Sequence, residues 1–247
     1  MGDDAILVTT EGAVRHLRFN RPEKRNAFTH AMYARLADEL RAADEDPAVA
    51  AVVLSGEGPA FTAGNDLRDF LADPPRDESS PVFRFLRALH EVQVPLIAAV
   101  QGNAVGIGAT MLLHCDFAIA DETAVLSYPF VSLGVVPEAA SSLLLPRAAG
   151  PKLAASLLLL GERVAARAAL DSGLLTEVVE PGRALDAARS IAARLATLPH
   201  EAVRATRSLL HAPDEPVPAR FTREAGRFVE RLGSDEFRKL AARALGD

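Results

Sequence analysis

Apolar positions along the first hundred residues change their repeat several times, and each change marks an element. Residues 6–10 and 14–19 carry β-branched and apolar side chains on either side of Glu11-Gly12, the pattern of a β-hairpin. Arg21-Pro22 ends it. From Thr29, a suitable N-cap, Tyr33, Leu36, Leu40 and Ala43 recur at helical spacing and predict an amphipathic helix. Continuous apolar runs at 50–54 and 95–100 stop at Ser55-Gly56 and Gln101-Gly102, and both read as parallel strands of a buried core. Between them, residues 73–80 form the most polar, proline-rich stretch and predict a mobile loop. A helix with Val82, Phe85, Leu86 and Leu89 on its apolar face follows.

Further on, a helix over 108–113 precedes strands at 117–120 and 125–126, and strands alternating with helices indicate an α/β fold. After 174–179 the pattern becomes almost wholly helical, with helices predicted over 184–198, 201–210 and, as one long last helix, 221–245. The chain therefore divides into a core of residues 1–180 and a helical region of 181–247, starting near Pro181. Phe228, Leu232, Phe237 and Leu240 give the last helix more apolar surface than a lone surface helix needs, so it is expected to pack on the core or on another subunit.

Composition narrows the classes of function. The 247 residues are 49% hydrophobic and 24% charged, which suits an ordered globular protein with one large core. A net charge of -6, with arginines scattered along helical faces, argues against nucleic-acid binding. The acidic start Met1-Gly2-Asp3-Asp4 lacks the features of a secretory signal, and no apolar run is long enough to span a bilayer. No membrane partner is expected, and a cytoplasmic location fits the single cysteine, Cys115, which reads as a buried structural thiol.

Two glycine-containing stretches carry the candidate chemistry. Phe61-Thr62-Ala63-Gly64-Asn65-Asp66 and Gln101-Gly102-Asn103-Ala104-Val105-Gly106-Ile107-Gly108 each place small residues between a strand-like and a helix-like run, where main-chain N–H groups stay free for a ligand. Together they suggest an oxyanion hole, and Pro137-Glu138 supplies a carboxylate suited to proton transfer beside it. Read from the residues alone, Glu138 also suits the first turn of a helix, complementing its dipole after Pro137. Asp66 reads as the N-cap of a helix beginning at Leu67. The six histidines form no metal-ligand pattern and fall outside these segments, so they read as structural or surface residues. Gly106-Ile107-Gly108 lacks the rest of a dinucleotide fingerprint, and there is no Gly-x-Ser-x-Gly elbow.

The order and spacing of several motifs resemble the crotonase superfamily, the enoyl-CoA hydratase/isomerase group, over nearly the whole chain. They are Leu17-Arg18-Phe19-Asn20-Arg21-Pro22 with Asn26-Ala27, the two loops above, Cys115-Asp116, Leu133-Gly134-Val135-Val136-Pro137, and the run from Ala166 through Asp171 to Gly173-Leu174. The resemblance implies an α/β spiral of ββα repeats with a C-terminal helical region that mediates trimerisation, as a homotrimer or a dimer of trimers. It also implies an acyl-CoA thioester whose carbonyl is held by the N–H groups of Asn65 and Ile107. Lys24, Ala27, Ala63 and Asp66 would lie around the CoA moiety, while Tyr128, Phe130 and Phe70 would limit the acyl pocket. Lys24 and Arg25 read equally well as solvated loop charges.

Hydratases of the superfamily use two glutamates, and the matching positions here are Thr110 and Phe130, so ordinary hydration is not expected. Pro137-Glu138-Ala139-Ala140-Ser141-Ser142 instead resembles the Pro-Glu-x-x-Ser-Ser signature of peroxisomal-type Δ3,Δ2-enoyl-CoA isomerases, and so do the Val-Gly-Ile loop and Ser234-Asp235-Glu236. Those isomerases commonly have Gly where this chain has Ala139. The resemblance thus implies a single-glutamate proton shuttle with no cofactor beyond the CoA of the substrate. Val135, Val136 and Leu143-Leu144-Leu145 are expected to give Glu138 an apolar setting that raises its pKa. Two alternatives remain, another crotonase-type enzyme such as a thioester hydrolase or decarboxylase, and a non-catalytic CoA-ester-binding protein.

Overall fold

The structure, a computed structural model, describes residues 5–212 and 214–245; the acidic start Met1-Gly2-Asp3-Asp4 lies outside them. Nine strands occur among the described residues: β1 (Ile6–Glu11), β2 (Val14–Phe19), β3 (Ala51–Gly56), β4 (Leu96–Val100), β5 (Asn103–Val105), β6 (Phe117–Asp121), β7 (Val125–Ser127), β8 (Arg163–Ala165) and β9 (Glu177–Val179). The helices are α1 (His30–Glu45), α2 (Leu67–Ala72), α3 (Pro81–Glu91), α4 (Ile107–Thr110), α5 (Ser141–Ala149), α6 (Pro151–Ala155), α7 (Ala166–Asp171), α8 (Ala184–Ala196), α9 (His200–Leu210), α10 (Val217–Leu232) and α11 (Asp235–Leu245).

The expected hairpin forms with β1 and β2 antiparallel, and Gly12 turns between them at φ +59°, a conformation that a residue with a side chain rarely takes. From β2 onward the large sheet is parallel in the order β1-β2-β3-β4-β6-β9. A smaller sheet, β5-β7-β8, collects the strands that follow β4 and β6. Successive strands thus step between two layers, the winding of a spiral of ββα units.

Period-two alternation distributes the two cores. Val52 and Leu54 of β3 join Leu96, Ala98 and Val100 of β4 in the main core, under Tyr33, Leu36 and Leu40 of α1 and Phe85 and Leu89 of α3. The alternate residues Ala51, Val53, Ile97, Ala99 and Ile119 face the other way and meet Ala184, Ala188 and Ala192 of α8. Alanines four apart let that helix lie close on the sheet. The helical region beyond Pro181 therefore shares its first helix with the core.

Thr29 caps α1 through a hydrogen bond from Met32 N–H to its hydroxyl. The expected last helix over 221–245 is two helices. Gly233 ends α10, and Ser234 caps α11 by accepting the Phe237 N–H at 3.1 Å, with Asp235 and Glu236 in the first turn where the helix dipole favours them. Neither α10 nor α11 has a buried residue, and Phe221, Phe228 and Leu245 stand well exposed. No helix among the described residues is long and apolar enough to cross a membrane.

Candidate active site

Both glycine-containing loops leave parallel strands of the large sheet and are stitched to one another. Thr62 N–H donates to the Asn103 carbonyl and Val105 N–H donates to the Thr62 carbonyl, each at 3.1 Å. This approach requires Gly64, at φ +86°, because a Cβ there would lie 2.8 Å from the Val105 oxygen. Gly106, at φ +54° and ψ -116°, then turns the chain so that α4 starts at Ile107. A side chain on Gly108 would overlap the Thr62 methyl group.

The stitching consumes neighbouring N–H groups but not those of Asn65 and Ile107. Gly64 N–H is taken by the Thr62 hydroxyl at 3.0 Å, and Asp66 N–H by the Phe28 carbonyl at 2.8 Å. Among the described residues no acceptor takes the N–H of Asn65 or of Ile107, the first residue of α4. Two rigid, unpaired donors on adjoining loops are what an oxyanion hole needs.

The carboxylate meets the helix that the second of them begins. Glu138 Oε1 accepts a hydrogen bond from the Thr110 hydroxyl at 2.5 Å, at the end of the helix that starts with Ile107. Glu138 Oε2 is buried with no partner. Burial pushes the carboxyl up to about 7 from an ordinary 4.5, with the Thr110 hydrogen bond pulling weakly the other way. Fully buried Tyr33 donates its hydroxyl to Asn65 Oδ1, and its own pKa is raised by burial and then by the charge of Glu138. The Glu138 carboxyl is therefore within electrostatic reach of a phenol that touches Asn65.

Two expectations for Glu138 need correction. Of the residues expected to give it an apolar setting, Leu145 is fully buried, but Val135, Val136 and Leu143 are 53%, 80% and 51% exposed; the carboxylate meets Thr110 and lies within electrostatic reach of Tyr33. Nor is Glu138 a first-turn helix residue, because α5 begins at Ser141, whose N–H and hydroxyl both donate to the Glu138 carbonyl.

The other predicted residues fall into four groups. Asp66 caps α2, accepting from Arg68 and Asp69 N–H, and its second oxygen pairs with Arg21 at 3.2 Å, which keeps its pKa below the usual range despite some burial cost. Lys24 is exposed, while Ala27 and Ala63 are half-buried with their N–H groups bonded to the Lys24 and Arg25 carbonyls. No donor among the described residues reaches the Ala63 carbonyl. Tyr128 and Phe130 are buried in the main core, and Phe70 lies half-buried against His30 and Tyr33. Cys115 is held above its usual pKa by burial and donates to the Met111 carbonyl, a structural thiol.

Three contributors escaped the sequence reading, namely Thr110 as donor to Glu138, Tyr33 as partner of Asn65, and buried His114, whose Nε2 meets the Ala139 carbonyl at 2.8 Å. Each acts across 25 or more residues. Local pattern carries no trace of such contacts. Asn26, quoted for its motif, proves to be a fully buried tie: its side-chain amide donates to the Glu57 and Ala60 carbonyls and holds residues 21–27 against the Asn65 loop.

The chain is similar to known proteins over most of its length. The family model described as Enoyl-CoA hydratase/isomerase matches residues 9–243. The 1,2-epoxyphenylacetyl-CoA isomerase of Escherichia coli K12 is 38% identical over 201 residues, covering 78% of this chain and 77% of that protein. Enoyl-CoA delta isomerase 3, peroxisomal, of Mus musculus is 37% identical over 179 residues, covering 70% of this chain and 56% of its own length. The crystal structure of an enoyl-CoA hydratase/isomerase from Pseudoalteromonas atlantica T6c superposes with a TM-score of 0.83 at 41% identity, over 97% of this chain and 96% of that one. With its spiral fold, paired loops and motifs in register, the chain belongs to the enoyl-CoA hydratase/isomerase family of the crotonase superfamily.

Proposed function

We propose that the protein is an enoyl-CoA isomerase that moves the double bond of a 3-enoyl-CoA into conjugation, giving trans-2-enoyl-CoA. The observation that carries this reading is Glu138 Oε2, a buried carboxylate oxygen with no partner, on a carboxyl bonded to the helix that begins with the free Ile107 N–H. Thr110 and Phe130, at the positions where hydratases carry glutamates, offer no carboxylate to activate water.

Glu138 takes a proton from C2 of the bound thioester, and the electron pair delocalises through the 3,4 double bond and onto the thioester oxygen. The N–H groups of Asn65 and Ile107 hold that oxygen, and each such donor is worth roughly 3 kcal/mol in the transition state. The protonated Glu138 then delivers the proton to C4, leaving the double bond between C2 and C3. Atoms balance without water, metal or redox cofactor. The free Ala63 carbonyl and exposed Lys24 would meet the CoA moiety, and the uncovered apolar faces of α10 and α11 suit assembly into a trimer.

The base must be ionised to act, so kcat/KM of the free enzyme rises with pH through about 7 and then levels. Glu138→Gln lowers turnover of 3-enoyl-CoA by at least about a thousandfold while CoA-ester binding persists. Conjugated-enoyl absorbance measures the reaction, and a parallel thiol assay for released CoA distinguishes it from hydrolysis. Comparable turnover by Glu138→Gln removes the assignment.

A further inference from the structure

Glu138 leaves the main chain just before two alanines in the left-handed conformation, Ala139 at φ +51° and Ala140 at φ +53°. Residues with a Cβ resist that region, and they stay there only where the surroundings hold them. On one side the hold is Ser141, which bonds the Glu138 carbonyl twice, at 3.0 and 2.7 Å. On the inner side it is His114, whose Nε2 lies 2.8 Å from the Ala139 carbonyl.

His114 is 5% exposed and ends the 3-10 turn Met111–His114, which continues α4. A carbonyl accepts only, so the ring carries its proton on Nε2 and donates. Burial comes first in holding its pKa below the ordinary value, the neighbouring His90, His211 and Arg207 add to that, and the Ala139 hydrogen bond opposes it. His90 lies edge-on to its ring, with centroids 6.0 Å apart. One helical segment thus reaches the site three times, through Ile107 N–H, through Thr110 on the Glu138 carboxylate, and through His114 on the turn that carries it.

We propose that His114 is a positioning residue whose Nε2–H, by gripping the Ala139 carbonyl, keeps residues 138–140 in the turn that points the Glu138 carboxylate inward against Thr110. Its importance to turnover rests on Glu138 being the base. The geometric claim does not.

The test uses His114→Leu, His114→Gln and Ala139→Gly, alone and combined, with Glu138→Gln as spectral reference. Infrared difference titration of the Glu138 carboxyl, wild type minus Glu138→Gln, reads its ionisation without any turnover. The wild-type midpoint lies near 7 and falls toward the ordinary carboxylate range in His114→Leu, as the released carboxylate meets water. In that variant kcat for 3-enoyl-CoA drops about ten- to a hundredfold while KM changes little. His114→Gln, which keeps a donor, restores both readouts. So does Ala139→Gly in the His114→Leu background, because glycine holds the left-handed turn without a tether. A folded His114→Leu with wild-type midpoint and kcat overturns the proposal, and so does a loss that neither glutamine nor glycine reverses, which would make His114 a packing residue. Turnover persisting in Glu138→Gln overturns the isomerase reading instead, while the infrared midpoint still reports on His114.

Discussion

The two glycine-containing loops and the Glu138 turn, which the proposed mechanism brings to the same reacting atoms, are built by opposite means. In the loops the groups assigned to the reaction are main-chain N–H donors, and the left-handed positions are glycines, Gly64, Gly102 and Gly106, which take positive φ without steric cost. In the turn the working group is a side chain, the left-handed positions are Ala139 and Ala140, and the conformation is held by Ser141 and His114. A backbone donor is placed once the chain path is placed. A carboxylate needs the path and, beyond it, neighbours such as Thr110 that fix its rotamer and bury it. The loop half thus gains activity and stability from the same contacts, while the base half trades one for the other.

Gly64→Ala breaks the loop half and has the largest expected effect on both properties together. Its Cβ meets the Val105 oxygen at a position with φ +86°, so the Asn65 segment must move away from the Ile107 segment. Losing one oxyanion donor lowers kcat by about a hundred- to a thousandfold. The displaced stitch costs about 1–3 kcal/mol of stability. Steady-state kinetics with 3-enoyl-CoA and urea unfolding measure the two, and a variant that keeps wild-type kcat would show that the Asn65 N–H is not a donor to the reaction.

Glu138→Gln separates the properties. A carboxyl whose folded pKa is raised from 4.5 to about 7 stabilises the fold below the unfolded value, and that stability is lost as pH rises through the folded value. The ionised form therefore costs about 3 kcal/mol above neutral pH. The amide keeps the Thr110 hydrogen bond and carries no charge. Unfolding of the variant at pH 8.5 is expected to require more urea than the wild type by that amount, with the advantage vanishing below pH 4.5. Equal stability at both pH values would place the wild-type carboxylate in contact with water.

The two halves also differ in how far sequence reveals them. Glycines between a strand-like and a helix-like run announce free N–H groups, so the loops were legible from residues 61–66 and 101–108 alone, as were the hairpin, α1, β3 and β4 from their periodicity. Glu138 was less so, because its local pattern also fits a helix start, and the family resemblance was needed to favour the catalytic reading. Its apolar setting was assigned to Val135, Val136 and Leu143-Leu144-Leu145, of which Val135, Val136 and Leu143 are exposed, since sequence neighbours are not spatial neighbours in an irregular segment. Thr110, Tyr33 and His114 come from other elements, and no window along the chain contains them with Glu138. The break between α10 and α11 was legible in principle, as Gly233-Ser234 followed by two acids is a helix stop and start. The unbroken recurrence of Phe228, Leu232, Phe237 and Leu240 outweighed it.

The smallest effect sharpens the comparison most directly, because it makes the turn use the device of the loops. Ala139 sits at φ +51° with a Cβ, which costs roughly 1–2 kcal/mol in the left-handed region. Glycine removes that cost but enlarges the freedom of the unfolded chain, which takes back about 0.4–1 kcal/mol. Ala139→Gly is therefore expected to stabilise the protein by about 0.5–1 kcal/mol, raising the urea midpoint with an unchanged slope. The same substitution at a position of negative φ, such as Ala37 inside α1, destabilises by a similar amount. Opposite signs at these two alanines would establish that the base is carried on strained backbone. A loss at Ala139 would mean that the side chain contributes packing that outweighs its conformational cost, and the contrast between the two halves of the site would then lie in their hydrogen bonds alone.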